Sequence, residues 1–162
     1  VPKENLVGQR GRGFYQFMDF FDRTRVNVAS QAVGLAQGAL DRAIAYARQR
    51  EVFGSSLASM QVTQFKLAEM ATRVEASRAL VRQAAWKLDH GEVDTKLIAM
   101  AKWFSGETAV RVADEALQIH GGYGFMGEYD ISRFYRDSKI VEIYEGTKEI
   151  EKTIIGRRLL RD

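Results

Sequence analysis

The stretch FYQFMDFFDRTRVNVASQAVGLAQGALDRAIAYAR, Phe14 to Arg48, decides the fold. Its residues Phe14, Phe17, Met18, Phe21, Val28, Leu35, Ala39 and Tyr46 recur at three-four spacing, which sets them on one face of a helix. Such a helix spans on the order of 50 Å at about 1.5 Å per residue, enough to form one wall of a bundle. The one proline, Pro2, lies ahead of it, so nothing interrupts it. Gly34 and Gly38 sit one turn apart inside it. Each costs about 1 kcal/mol of helix propensity, so the pair points to close approach by another helix or a ligand.

Working outward, a loop at Phe53-Gly54-Ser55-Ser56 precedes a second helix from about Met60 to Asp89, whose Leu67, Met70, Val74, Ser77, Val81, Ala84 and Leu88 form a narrow packing seam. His90-Gly91 is its stop. A third helix runs from about Val93 to Ile119 with Ile98, Ala101, Ser105, Thr108, Val112 and Ile119 on one side. His120-Gly121-Gly122 ends it. A short helix follows Tyr129 to about Asp137, and after the break Tyr144-Glu145-Gly146-Thr147 comes a last helix with Ile150, Ile154 and Leu159. No strand is predicted. The expected fold is all-α, an up-and-down four-helix bundle with an extra short helical hairpin, occupying residues 14–162.

Length and composition fit one domain: 162 residues, of which 46% are apolar, can bury a substantial core. There are no cysteines, which excludes disulfides and thiolate metal sites and suits a reducing cytoplasm. No apolar run approaches the roughly 20 residues of a membrane helix, and the N-terminus has no signal pattern. With 24 basic and 21 acidic residues, the net charge of +3 is spread along the chain rather than gathered into a block. Nucleic acid is therefore not the expected partner. The start, Val1-Pro2-Lys3-Glu4-Asn5-Leu6-Val7-Gly8 without an initiating Met, suggests a cut from a longer protein.

Four stretches could carry chemistry. Arg25, seven residues after Met18, falls on the apolar face of the first helix, where an unpaired charge is costly. It either pairs with Asp22 or an acidic residue of a neighbouring helix, or stands at the edge of a ligand cleft. Arg50, close to Phe53-Gly54 at a helix end, is either a dipole partner or a phosphate ligand beside an aromatic face. Gln118 to Phe125 holds three glycines around a bend, either helix-stop chemistry or backbone bared to a ligand. His120 has no nucleophile or carboxylate placed beside it by any motif and is not read as catalytic. Glu145, between an aromatic and a glycine before a new helix, is either solvated surface or a carboxylate held dry at a cleft to act as a general base. Thr147 could cap the last helix and leave its free amides to a cofactor.

Together these stretches are similar to the acyl-CoA dehydrogenase family over essentially the whole chain. The resemblance is carried by Asp22-Arg23-Thr24-Arg25, Ala32-Val33-Gly34-Leu35-Ala36-Gln37, Arg50 with Phe53-Gly54, Gln61, Leu67-Ala68-Glu69-Met70, Gln118 with Gly121-Gly122, and Ile143-Tyr144-Glu145-Gly146-Thr147. It implies a flavoenzyme with an N-terminal helical domain, a middle β-domain and this C-terminal bundle, assembled as a homotetramer. Residues 1–13 would be the end of the linker from a β-domain absent from this chain, and the fragment alone would have little or no activity.

The resemblance further implies that Glu145 takes the α-proton of an acyl-CoA thioester while hydride leaves Cβ for FAD, giving a trans-2-enoyl-CoA. Electrons would pass on to an electron-transfer flavoprotein. Some relatives carry the base immediately before the arginine that matches Arg25; Thr24 stands there, so the base stays at Glu145. By the same matching, Arg50, Phe53, Gln61, Gln118, Gly121 and Gly122 would meet the FAD of a neighbouring subunit. Thr147 and Glu149 would lie at its adenosine and phosphates, although position 149 is often glutamine and a carboxylate beside phosphate needs a cation. Val93 stands near a place where some members carry an arginine. Asp22 and Arg25 would face the CoA part, Gly146 the thioester and Tyr144 the acyl chain. The alternatives are an acyl-CoA oxidase, a nitroalkane or acyl-carrier-protein relative of the same fold, or a helical assembly module without catalysis. Acyl length and branching would be set by cavity-lining side chains, many of them in the other domains.

Overall fold

The structure is a computed structural model that describes residues 1–161. Five α-helices carry the fold: α1 (Gly13–Gln49), α2 (Gln61–Asp89), α3 (Thr95–His120), α4 (Ile131–Ser138) and α5 (Lys148–Leu159). Short 3-10 turns sit between them at Leu57–Ser59, Gly121–Phe125 and Lys139–Glu142. The three long helices lie within one or two residues of the sequence expectation. Their stops are local: Gly91 takes φ +79 after α2, and Asp94 opens α3 by accepting from the Leu97 amide at 3.0 Å.

α3 is the central element, packed on α1, α2, α4 and α5. Its contact with α1 is the most extensive, and both helices supply small side chains at three-four spacing. Ala29, Ala32, Ala36, Ala39, Ala43 and Ala47 of α1 and Ala101, Ala109, Ala113 and Ala116 of α3 are buried. Small residues on both faces let the backbones close, while Met70 and Val74 of α2 fill the remaining space. A second apolar cluster, with Val26, Val33, Val81 and Ile98, extends the core along α1. Truncating Ile98, almost wholly buried, to Ala would cost about 2–5 kcal/mol.

The short α4 is tied to α1 by Arg42, whose guanidinium lies 2.6 Å from Asp130 and over the Phe134 ring. Gly38 serves that contact: a Cβ there would come 2.7 Å from the Phe134 ring. At Gly34 no other helix comes within 4 Å of the place of a Cβ.

Three expectations are corrected. Two strands exist, β1 (Glu51–Val52) and β2 (Ser55–Ser56), paired antiparallel with Glu51 opposite Ser56. They close through Phe53 (φ +52) and Gly54 (φ +74), two consecutive left-handed residues that make a tight hairpin turn, and two residues per strand are too few to show alternation in sequence. Next, the apolar stripe at the start of α1 does not reach the core: Phe14, Phe17 and Met18 are exposed. The reason is length, since α1 has 37 residues against 29 in α2 and 26 in α3 and overhangs its partners. Finally, α5 buries Glu151 and Ile155, while Ile150 and Leu159 are exposed. Its inward face brings a carboxylate, Glu151, to the bundle beside Ile155.

Candidate active site

The segment from Tyr144 to Thr147 forms a tight turn between the 3-10 turn at Lys139–Glu142 and α5. Glu145 takes φ +59, a region that non-glycine residues avoid, and Gly146 takes φ +109. Glycine is required at 146 twice over: the torsion is strained for any L side chain, and a Cβ would sit 2.5 Å from Oε1 of Glu151.

The turn is held from below by two buried cations. Arg25 Nε donates to the Glu145 carbonyl at 3.0 Å, and Lys102 Nζ donates to the Gly146 carbonyl. Arg25 is 5% exposed and Lys102 1%. Charges so placed need partners: Arg25 Nη1 donates to Asp22 at 3.0 Å, and its Nε lies 3.0 Å from Oε1 of Glu151. Thr95 adds a bond to Asp22 at 3.3 Å. Burial pushes the Glu151 carboxyl up to about 7 against the opposing pull of Arg25 and Lys102, and burial pushes the Lys102 ammonium down.

Above the turn the Glu145 side chain is half-buried, and Thr24 Oγ1 donates to its Oε2 at 2.6 Å. Among the described residues only Oε2 has a hydrogen-bond partner, which leaves Oε1 open. The hydroxyl of Tyr144 donates to Gln31 on α1.

The site residues read from sequence therefore divide. Tyr144, Glu145, Gly146, Asp22 and Arg25 come together, but Asp22 and Arg25 spend their polar atoms on each other and on the turn rather than facing open space, because a charge buried this deeply must be paired. Thr147 occupies the N-cap position of α5 without accepting a bond from a helix amide. Glu149 is exposed, and the bond from its own backbone N–H, followed by one from Thr147, holds its carboxyl below the usual range. Its carboxylate thus takes up an amide at the helix start that a phosphate would need.

The other group gathers at the far end of α1. A groove of about 480 Å³ is lined by Tyr46, Arg50, His120, Gly121, Gly122 and Tyr123, among others. Gly121 has φ +59, and nothing lies within 4 Å of the place of a Cβ at Gly121 or Gly122, so bare backbone faces the groove beside the Arg50 guanidinium. His120 is buried, stacked on Tyr46 at 4.2 Å with Nδ1 bonded to the Ala116 carbonyl, a structural role. Phe53 is fully exposed at the tip of the hairpin; Gln61 and Gln118 are exposed nearby in sequence, outside the lining of the groove. Arg25 and Arg50 are 25 residues apart on one helix, or about 37 Å along its axis. One chain does not bring its two groups around one ligand.

Thr24, Gln31, Lys102 and Glu151 were not read from sequence as parts of the site. Lys102 left a signal, since it falls four residues after Ile98 and three before Ser105, on the buried face of α3.

The family model for the C-terminal domain of acyl-CoA dehydrogenases matches residues 11–160. The chain belongs to the acyl-CoA dehydrogenase family. Among its relatives is the probable acyl-CoA dehydrogenase YngJ of Bacillus subtilis, 47% identical over 161 residues, which cover 99% of this chain and 42% of that protein. Subunit CarC of the caffeyl-CoA reductase-Etf complex of Acetobacterium woodii is 44% identical over the same shares. The structure of butyryl-CoA dehydrogenase from Megasphaera elsdenii superimposes with a TM-score of 0.97 at 45% identity, covering 99% of this chain and 42% of that one. This acyl-CoA dehydrogenase domain thus spans about two fifths of the length of the proteins it resembles. Among the described residues, no helix is long and apolar enough to cross a membrane.

Proposed function

We propose that this chain is the C-terminal domain of an FAD-dependent acyl-CoA dehydrogenase that oxidises an acyl-CoA thioester to the trans-2-enoyl-CoA, with Glu145 as the base. The observation that carries this is the half-buried Glu145 carboxylate on a strained turn, with Thr24 on one oxygen and the other open. Oε1 is the oxygen placed to take the Cα proton. Thr24 fixes the rotamer, and the clamped carbonyls of Glu145 and Gly146 fix the backbone, so the base is oriented before substrate arrives. Tyr144 and Gly146 flank the base where acyl chain and thioester would pass. Asp22 and Arg25 act here by holding the turn.

The residues at the far end of α1 fit a flavin dinucleotide: in the groove a guanidinium and two bare glycine amides suit phosphate, and the exposed Phe53 at the hairpin tip suits a planar ring. When bound, FAD supplies the acceptor for the hydride from Cβ. Arg50, Phe53, Gln61, Gln118, Gly121 and Gly122 would hold the cofactor used by a neighbouring protomer, and the length of α1 supports that division between subunits. Thr147 is kept as an FAD contact; Glu149 is the weaker member because its carboxylate occupies the helix start. The working enzyme would be a homotetramer whose remaining domains precede residues 14–162, located in the cytoplasm, with an electron-transfer flavoprotein as its redox partner. The Etf complex of the Acetobacterium relative supports that partner.

The same relative supports a second reading, in which the site runs in reverse and reduces an enoyl-CoA. Microscopic reversibility then has Glu145 return a proton to Cα. The experiment is E145Q in the full-length enzyme: flavin stays bound, and bleaching by acyl-CoA falls by about 10²–10⁴. Retained bleaching contradicts the base. Comparing bleaching by acyl-CoA with reoxidation of reduced enzyme by enoyl-CoA separates the two directions.

A further inference from the structure

Glu151 is buried with 0% exposure on the first turn of α5, yet the reaction above makes no use of it. Its Oε1 lies 3.0 Å from Arg25 Nε and 2.5 Å from the place a Cβ would take at Gly146, directly under the turn that carries the base. Neither carboxylate oxygen has a hydrogen bond of good geometry, because the Arg25 N–H that approaches it is aligned on the Glu145 carbonyl instead. The contact is ionic. Lys102, 1% exposed, is held on the Gly146 carbonyl and is attracted by Glu151 and repelled by Arg25.

We propose that Glu151 is a positioning residue for the base: as shared counter-ion of Arg25 and Lys102, it keeps both cations under the turn and so holds the carbonyls of Glu145 and Gly146 in place. Without it, two like charges face each other in a buried space, with Asp22 satisfying only one of them. The cations would separate or Lys102 would lose its proton, and the turn, strained at Glu145, would relax away from its aim. The proposal rests on Glu145 being the base.

The charged groups around Glu151 and Lys102 are Arg25 and Asp22 from α1 and Glu142 and Glu145 from the segment before α5, Glu142 being itself paired with Lys139. With burial pushing its carboxyl up to about 7, Glu151 exchanges its proton close to neutral pH. Its raised value also has a stability consequence. The folded state binds the proton more tightly than the unfolded state, so the favourable contribution is complete below about 4.5 and is lost as pH rises to about 7.

The test uses the full-length flavoenzyme and the acyl-CoA that bleaches wild type fastest. E151Q should reduce its flavin on the order of tenfold more slowly while acyl-CoA affinity changes less than about twofold, and E151D should recover part of the rate. The rate profile of wild type should carry an inflection close to neutral pH that E151Q lacks. Independently of turnover, the Tm of wild type should fall relative to E151Q between pH 4.5 and 7. The K102M/E151Q double variant removes both charges, so it should regain stability and remain slow. Wild-type rate and pH profile in folded E151Q, or full rate in the double variant, overturn the proposal. E145Q keeps the two ideas apart: bleaching by E145Q removes the base itself, whereas fast E151Q beside dead E145Q removes only the role of Glu151.

Discussion

The hydroxyl of Thr24 donates to Oε2 of Glu145 across 2.6 Å, joining the fourth turn of α1 to a residue 121 positions later. One oxygen of the carboxylate is thereby assigned to orientation and the other to chemistry. T24V, which keeps the shape and removes the donor, should slow flavin reduction by about ten- to a hundredfold, in line with a charge-assisted bond of about 1.5–3 kcal/mol. T24S should stay within about threefold of wild type. Stopped-flow bleaching at saturating acyl-CoA measures both.

Because Thr24 already touches the base, a carboxylate at 24 reaches the same ground. T24E combined with E145G should bleach with acyl-CoA faster than E145G alone. Equal rates in the two would show that the turn, and not only the carboxyl group, must come from residue 145.

Arg25 serves the Glu145 carbonyl, Asp22 and Glu151 at once, a task for a planar fork with several donors. R25K should lower Tm and slow turnover together. R25A leaves Glu151 buried against Lys102 alone and should cost about 3–5 kcal/mol in urea unfolding.

G146A places a methyl group 2.5 Å from the Glu151 oxygen at φ +109. A loss of about 1–3 kcal/mol follows from the torsion alone, with further loss from the contact. If G146A unfolds at the wild-type midpoint, the turn is not held as described.

Arg42 and Asp130 give a surface control. The hydrogen bond from Arg42 holds the Asp130 carboxyl below its usual value of 3.8, so the stabilisation is present above that pH and is lost as pH falls through the depressed value. Both side chains are about two fifths exposed, so solvent screens the pair to about 0.5–1 kcal/mol. D130N should lower stability by that amount at pH 7 and leave it unchanged near pH 2.

The long helices were legible because the three-four period and the glycine stops after Asp89 and His120 are both local. What periodicity does not report is whether a partner exists to meet each turn. Phe14 and Phe17 follow the same pattern as Val28 and Ala39, yet α2 and α3 end before reaching them. In α5 no local pattern sets Glu151 apart from the neighbouring charges Glu149 and Lys152, and only the meeting of three distant elements turns Glu151 inward. The ion cluster was half visible: Arg25 and Lys102 both occupy core-facing positions, and two buried cations demand a buried acid. Which acid answers is settled by packing.

A residue in the left-handed region is seldom the one that stability would choose. At 145 asparagine or glycine would fit the torsion with less effort, and neither can accept a proton from carbon. Selection of this protein for heat resistance alone would therefore drift towards variants that melt later and no longer turn over, so any stabilising screen should be run with a coupled assay for flavin reduction.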